Sequence, residues 1–274
     1  MVPLLRTAGR DGPRRNTASG IENCPISGEN LPLVVVSHGN GGALWNHHDT
    51  AETLADAGFV AVNHPGDTLG DERGRAELSA MVERPTDIKR LINFMLGASP
   101  AASKIDSERI GLFGFSLGGY TGLVLIGANP DWAAATEFCQ HSSFPGCEQV
   151  RRKEFPTQPV AHDPRIKAAV VAEPVSFFFT AASLAAVKAP VQLWASERGG
   201  GGLTLESVAA VDRNVPAKHE YHVVPNAWHM DFIVCPPALA KAVPEFCTDA
   251  PGFDRIAFHK QFNADVLAFF RTHL

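Results

Sequence analysis

From Leu31 onward, short apolar runs alternate with amphipathic stretches along the chain. The runs are rich in Val, Ile, Leu and Phe and lack polar alternation, which is typical of strands buried on both faces of a parallel sheet. Strands are predicted in this way at residues 33–37, 60–63, 110–113, 166–172, 191–195 and 220–224. The alternation of strands and helices therefore predicts an α/β fold with a mostly parallel, doubly wound sheet and flanking helices.

The amphipathic stretches between these runs predict the helices. One helix is expected at residues 50–57, and a longer one is expected to begin at Pro85-Thr86 and to cover 86–96. The last helix, at about 254–273, is expected to direct five apolar side chains toward the sheet: Ile256, Phe262, Val266, Phe269 and Phe270.

Three segments interrupt the alternation of strands and helices. Residues 6–30 are polar and contain several Gly and Pro, residues 130–163 form a long insertion, and residues 199–202 are four consecutive glycines. Long irregular segments in a compact domain are usually functional or mobile. No internal repeat or linker divides the chain, so we expect an irregular N-terminal segment at 1–30 and a single domain at 31–274.

Composition and charge exclude several classes of protein. The chain has 274 residues, 45% apolar and 19% charged, with 24 Lys and Arg against 29 Asp and Glu, and a net charge of −5. This balance disfavours nucleic acid and anionic membranes as partners. No apolar run approaches the roughly 20 residues that a bilayer span needs. We expect no membrane span and no secretory signal in the chain as given, although a signal removed before Met1 is left open.

The five cysteines show no Cys-x-x-Cys spacing, which argues against a zinc or dithiol site, and no metal is expected. Cys139 and Cys147 bracket one Pro-containing loop, and Cys235 and Cys247 bracket another. We predict a disulfide in each loop, with Cys24 left over; the alternative is five reduced thiols. The two bridges would favour a periplasmic or secreted protein, and reduced thiols a cytoplasmic one.

A candidate nucleophile follows the strand at 110–113. The motif there is Gly-x-Ser-x-Gly, and an apolar helical stretch follows it at 120–126. A tight turn from strand to helix lifts the serine into a cleft, and glycines are needed beside it because the turn leaves no room for side chains. We therefore predict Ser116 as a nucleophile; the alternative is a glycine-rich turn without chemistry.

A second glycine-rich loop, His38-Gly39-Asn40-Gly41-Gly42, follows the strand at 33–37. Its glycines let the backbone approach a ligand. The amide of Asn40, together with that of Leu117, is predicted to form a two-donor oxyanion hole. His38 is expected to hold the loop through a side-chain hydrogen bond.

A serine nucleophile needs a base, and that base follows late in the chain if the order is Ser, acid, His. Of eleven histidines, His229 has the best position, because it follows the strand at 220–224 after a short loop. This places it at the carboxyl edge of the sheet, where such folds collect catalytic residues.

These motifs, together with Asn63-His64-Pro65-Gly66-Asp67 and residues 225–232, resemble the α/β-hydrolase superfamily. The resemblance is to its predicted dienelactone-hydrolase-like group, which is related to platelet-activating-factor acetylhydrolases, and it covers roughly 31–274. It implies the α/β-hydrolase fold and a serine hydrolase that cleaves esters or lactones without a cofactor. The strands that usually precede Leu33 in that family are expected to be shortened or missing, with at most one short strand near Pro3.

The chain departs from the family pattern at the acidic residue that should pair with the catalytic histidine. Many relatives carry Gly-Glu-x-Asp after the strand equivalent to 191–195, and this chain has Ser-Glu-Arg-Gly at 196–199 instead. The acetylhydrolase relatives place their acid one strand earlier, where Glu173 stands. We therefore predict Glu173 as the acid and keep Glu197 as the alternative.

The resulting hypothesis is a small-molecule ester or lactone hydrolase that works through an acyl-enzyme. Alternatives are an amidase, peptidase or acyltransferase with the same triad, or a non-catalytic binding protein on the same fold. The physiological substrate does not follow from the sequence.

The shortened N-terminus predicts a homodimer, because an uncovered sheet edge invites pairing with a second chain. The alternative is that residues 6–30 fold back over the edge and the protein stays monomeric. Light scattering at micromolar concentration should give twice the chain mass of 29.4 kDa. A mass near that of one chain would contradict the dimer.

Overall fold

The computed structural model describes residues 4–5, 26–64, 77–144 and 146–274. Its centre is one sheet with strand order β1-β3-β2-β4-β5-β6-β7. Strands β2 to β7 are parallel, and only β1 runs antiparallel, beside β3. The strands are β1 Leu4–Leu5, β2 Leu31–Ser37, β3 Val60–Asn63, β4 Ile105–Phe115, β5 Ile166–Ala172, β6 Val191–Ser196 and β7 His219–Val224.

Helices cover both faces of the sheet. In the described part of the chain they are α1 His48–Asp56, α2 Leu78–Gly97, α3 Leu117–Leu125, α4 Thr136–His141, α5 Cys147–Arg152, α6 Ala181–Leu184, α7 Leu205–Asn214, α8 Pro237–Ala242 and α9 Arg255–His273. Short 3-10 helices lie at Ala102–Lys104, Trp132–Ala135, His229–Phe232 and Pro244–Cys247. None of the helices described has the length and apolar character needed to cross a bilayer.

Strand β2 shows why the sheet needs two layers of helices. Leu33 and Val35 belong to the core that includes Ile88 and Leu123, whereas Val34 and Val36 belong to the opposite core, with Leu54 and Phe262. Successive side chains of a strand point to opposite faces, so a strand without polar alternation buries both faces. The predicted doubly wound α/β architecture is confirmed.

The start predicted for helix 86–96 is wrong. Helix α2 begins at Leu78, and Pro85 lies inside it. Proline lacks only one backbone donor, and the buried face continues toward the N-terminus of the helix through Leu78 and Met81. Burial of that face offsets the lost hydrogen bond, so the proline does not end the helix.

Two further expectations need correction. Ile256 does not face the sheet: it is 86% exposed, because the buried stripe of α9 passes through its neighbour Arg255 and through His259 and Phe262. The insertion at 130–163 is not simply irregular, since it contains α4 and α5. At the N-terminus, the two-residue β1 is the short strand that the sequence left open.

Both disulfides that the spacing predicted are present, Cys139–Cys147 and Cys235–Cys247. Cys24, the predicted free thiol, lies outside the described residues. Each bridge closes a short loop and is expected to stabilise the fold by about 2 to 3 kcal/mol.

Thiol titration checks this pairing. The denatured, unreduced protein should expose one free thiol, and the same sample after reduction should expose five. Five thiols before reduction would contradict both bridges.

Candidate active site

Ser116 is the single residue between β4 and α3. Its backbone has φ 55° and ψ −115°, a conformation that side-chain-bearing residues rarely adopt. The Ser116 amide donates to the Ala172 carbonyl at 2.9 Å, and its own carbonyl accepts from the Val175 amide at 3.1 Å. These bonds, to the last residue of β5 and to the segment that follows it, hold the strained turn in place.

The glycines beside Ser116 are required by close backbone contacts. A Cβ atom on Gly114 would overlap the carbonyl oxygen of Gly118, and a Cβ atom on Gly118 would overlap that of Ser37. Strand β4, helix α3 and the end of β2 thus meet backbone to backbone. Ser116 therefore lies on a tight turn from strand to helix that leaves no room for a side chain at position 114 or 118.

The loop after β2 lies directly against this turn. A Cβ atom on Gly39 would stand 3.2 Å from that of Ser116, and Asn40 lines the same cavity as Ser116. Leu117 is the first residue of α3, so its amide belongs to the first turn, where N–H groups have no intrahelical partner. The two predicted oxyanion donors, Asn40 and Leu117, therefore come from segments that flank Ser116.

Buried polar side chains hold the glycine-rich loop that follows β2. His38 Nδ1 lies 2.8 Å from the Gly39 carbonyl oxygen, and the Arg84 guanidinium donates to the His38 carbonyl at 2.8 Å. His64 stacks on His38 with ring centroids 5.3 Å apart. Burial, with the charge of Arg84, lowers the pKa of His64 to about 2, so His64 is neutral. Arg84 was not identified from the sequence.

His229 and Glu173 form a buried pair. His229 Nδ1 lies 2.9 Å from Glu173 Oε2, and the two side chains are 4% and 1% exposed. Glu173 follows β5 and has a positive φ of 50°. Of the two candidate acids, Glu173 is therefore the one within hydrogen-bond reach of the imidazole.

Ser196, the last residue of β6, was missed as a functional residue. Its amide donates to Glu173 Oε1 at 2.5 Å, and its hydroxyl donates to Glu173 Oε2 at 2.8 Å. The carboxylate thus has three hydrogen-bond partners although it is out of contact with water. The only sequence signal was a serine at the position where the family pattern starts its acidic element.

Glu197, the alternative acid, has a different contact. Its side chain is exposed, and its Oε2 accepts from the Asn226 amide at 2.6 Å. Asn226 has a positive φ of 62° and lies in the turn before His229. Glu197 therefore stabilises the turn that leads to His229, without contacting the imidazole.

The four-glycine run packs against His229. A Cβ atom on Gly200 would stand 2.9 Å from the His229 Cβ, and one on Gly201 would stand 3.2 Å from its Cδ2. The His229 amide also donates to the Gly199 carbonyl at 2.8 Å. The run therefore leaves space for the imidazole beside the cavity, a role that its composition alone did not indicate.

Residues 228–232, which contain His229 and are called the His229 turn below, are also held by a buried ion pair. Asp231 accepts from the Trp228 amide at 2.7 Å and from the Arg255 guanidinium at 2.6 Å. His259 Nε2 lies 2.9 Å from the Asp231 carbonyl oxygen, and its Nδ1 lies 2.8 Å from Asp49 Oδ2. Nothing in the sequence pattern marked this network, because its members are far apart in the chain.

Ser116 and His229 line one open cavity of about 700 Å³. Its walls come from four places: the loop at 39–46, the loop at 142–144 inside the first disulfide, the glycines at 201–202, and the segment after His229. Ser116 is half-buried and accessible from this cavity.

Comparison with known proteins decides the family. The model of the dienelactone hydrolase family matches residues 24–176, which is just over half of the chain. The chain belongs to the dienelactone hydrolase family. The matched residues include Ser116 and Glu173, and His229 lies beyond them.

Two of the proteins that are similar to this chain carry the name of an esterase. NocK of Nocardia uniformis subsp. tsuyamanensis, which bears the name of an esterase, is 30% identical over 136 residues, covering 46% of this chain. The match spans 37% of NocK, so little more than a third of that relative is compared. A ferulic acid esterase from Streptomyces cinnamoneus has the same fold, with a TM-score of 0.60 at 21% identity, covering 91% of this chain and 69% of its own.

Substitution of Glu173 and of Glu197, each by glutamine, tests which of the two carboxylates the reaction needs. Glu173→Gln should lower kcat for a short-chain aryl ester by roughly 10³ to 10⁴, because an amide no longer favours the imidazolium and the required tautomer. Glu197→Gln should stay within about threefold of the wild type, as expected for a solvent-exposed contact.

Both variants should keep the KM of the wild type. A large loss for Glu197→Gln together with a nearly normal Glu173→Gln would overturn the assignment of Glu173.

Proposed function

We propose that the protein is a serine hydrolase that cleaves carboxylic esters or lactones through an acyl-enzyme, with Ser116, His229 and Glu173 as its triad. The observation that carries this proposal is the convergence of three elements. A strained serine at an elbow opens into the cavity that His229 lines, and the far nitrogen of that imidazole is held by a buried carboxylate. Membership of the dienelactone hydrolase family supports the same class of reaction.

Glu173 sets the tautomer of the base. When Nδ1–H donates to Glu173 Oε2, the lone pair of His229 Nε2 is free to accept the Ser116 proton. The serine oxygen then attacks the carbonyl carbon of the ester, and the carbonyl oxygen becomes an oxyanion. Glu173 stabilises the imidazolium that forms, since the ionised carboxylate already has three hydrogen-bond partners.

The amides of Asn40 and Leu117 bind the oxyanion in this mechanism. Two preorganised backbone donors stabilise charge that develops only in the transition state, which is why such donors accelerate the reaction. Collapse of the intermediate breaks the ester bond, and the imidazolium gives its proton to the departing alkoxide. Water then attacks the acyl-enzyme with His229 as base and releases the carboxylic acid.

Substitution of the nucleophile tests the function. Ser116→Ala should lower hydrolysis of a short-chain aryl ester by roughly 10³ or more and should abolish labelling by a fluorophosphonate probe. Ser143→Ala is the matched control, because Ser143 is an exposed serine of the same cavity. It should keep both activity and labelling.

Thermal unfolding should be similar for the two variants and the wild type. Retention of a tenth of the activity by Ser116→Ala, or labelling of that variant, would show that another nucleophile acts. A wild type that neither hydrolyses esters nor reacts with the probe would contradict the function itself.

A further inference from the structure

The chain that directly follows the His229 turn forms one wall of the cavity. This wall segment, residues 235–247, contains α8 and the 3-10 helix Pro244–Cys247 and is closed by the second disulfide. Leu239, Val243 and Phe246 line the cavity from it and are only half-buried. Apolar side chains that remain partly exposed at the edge of an open cavity offer an apolar binding surface.

Arg255 fixes the wall segment to the His229 turn. Its guanidinium is 7% exposed and donates to the Phe246 carbonyl at 2.9 Å and to the Ile233 carbonyl at 3.0 Å. The same side chain pairs with Asp231 in the His229 turn and with Asp249 just after the wall segment, each at 2.6 Å. One buried cation therefore sets the distance between the catalytic base and the apolar wall.

The absence of charged side chains from the described cavity lining restricts the class of ligand that can bind there. Among the described residues that line it there is no Asp, Glu, Lys or Arg. Within this described lining, a substrate carboxylate or phosphate would find no cation to replace its hydration, and burying such a group unpaired is costly. Apolar side chains on other parts of the lining, Trp45, Phe144 and Met230, extend the surface of the wall segment.

We propose that the substrates are uncharged esters with an extended apolar part, and that the wall segment 235–247 selects that part. This inference rests on the proposed serine hydrolase function. The disulfide and Arg255 keep Leu239, Val243 and Phe246 in place before substrate arrives, so little ordering entropy is lost on binding. The wall changes which ester binds well, whereas the triad performs the chemistry.

Two ester series measure the selection. One is 4-nitrophenyl acetate, butanoate, octanoate and dodecanoate, in which the acyl chain grows; the other is ethyl to octyl acetate, in which the alcohol grows. In one of the series, kcat/KM of the wild type should rise by about tenfold or more as the chain lengthens, since apolar pockets discriminate by single methylene groups. A neutral diester should also be cleaved at least about tenfold faster than the half-ester that carries a free carboxylate.

Two variants alter the wall without touching the triad. Val243→Phe fills the cavity beside the wall, and Phe246→Ala removes apolar surface from it. Each should lower kcat/KM for the longest good substrate by about tenfold or more, mainly through KM, and should leave the shortest ester within about threefold. Lys241→Ala, an exposed position on the same helix, is the matched control and should change neither value.

Removal of the disulfide Cys235–Cys247 is an independent test of whether the wall segment selects the ester. The double variant Cys235→Ser with Cys247→Ser should lose most of the preference for long chains, measured as the ratio of kcat/KM between the longest and the shortest ester. Thermal unfolding should show a folded protein for every variant, and Phe246→Ala, which adds no bulk, keeps the test valid if Val243→Phe fails to fold.

The inference is overturned if kcat/KM for Ser116-dependent hydrolysis does not change with chain length in either series. It is also overturned if the half-ester is cleaved as fast as the diester, or if the wall variants slow all esters equally. These outcomes leave the proposed function intact. Failure of that function looks different, because the wild type would then hydrolyse no ester, or Ser116→Ala would remain active.

Discussion

The carboxylate of Glu173 is the constraint on which the rest of the site depends. A buried negative charge is stable only where donors replace water, and Glu173 finds them on two other segments: the amide and hydroxyl of Ser196 at the end of β6 and the imidazole of His229 after β7. The backbone amide of Glu173 also donates to the Trp194 carbonyl at 2.8 Å. The position of the His229 imidazole therefore depends on the register of three neighbouring parallel strands, β5, β6 and β7. A shift of β6 by one residue would remove the Ser196 hydroxyl and leave the Glu173 carboxylate with fewer donors.

A second buried charge, that of Arg255, supports His229 from the opposite side. Arg255 replaces its lost hydration with two carboxylates and several carbonyl oxygens, all of them on the His229 turn or on the segment that follows it. Buried pairs of this kind add little net stability but fix one arrangement against others, because any other arrangement leaves a charge unpaired. His229 thus lies between two charged anchors, Glu173 for its ring and Asp231 for its backbone turn.

The sequence predicts the parts of this protein that depend on local chemistry. The six strands, the Gly-x-Ser-x-Gly turn and the two cysteine loops each carry a signal within a few residues, and all of them are present in the structure. Two strands differ from their prediction: β4 extends over Ile105–Phe115, and β7, which was expected to be buried on both faces, is largely accessible because it lies at the edge of the sheet. Contacts across the fold carry no such signal. Ser196 and Arg255 were overlooked because their partners lie on other elements of the chain. The start of α2 was missed for a similar reason: burial of its first turn outweighs the local effect of Pro85.

The four-glycine run at 199–202 has a consequence for engineering. All four residues have positive φ, and the run leaves room for the His229 ring. Glycine loses more conformational freedom on folding than other residues, so its replacement by alanine at a position with compatible φ stabilises a protein by about 0.4 to 1 kcal/mol. Replacing loop glycines is a common way to raise melting temperature, but only where the native φ suits a side chain. Positive φ disfavours a side chain at all four positions, and at Gly200 and Gly201 the His229 side chain also leaves no room for one. Substitutions there that aim at thermostability would therefore displace the imidazole.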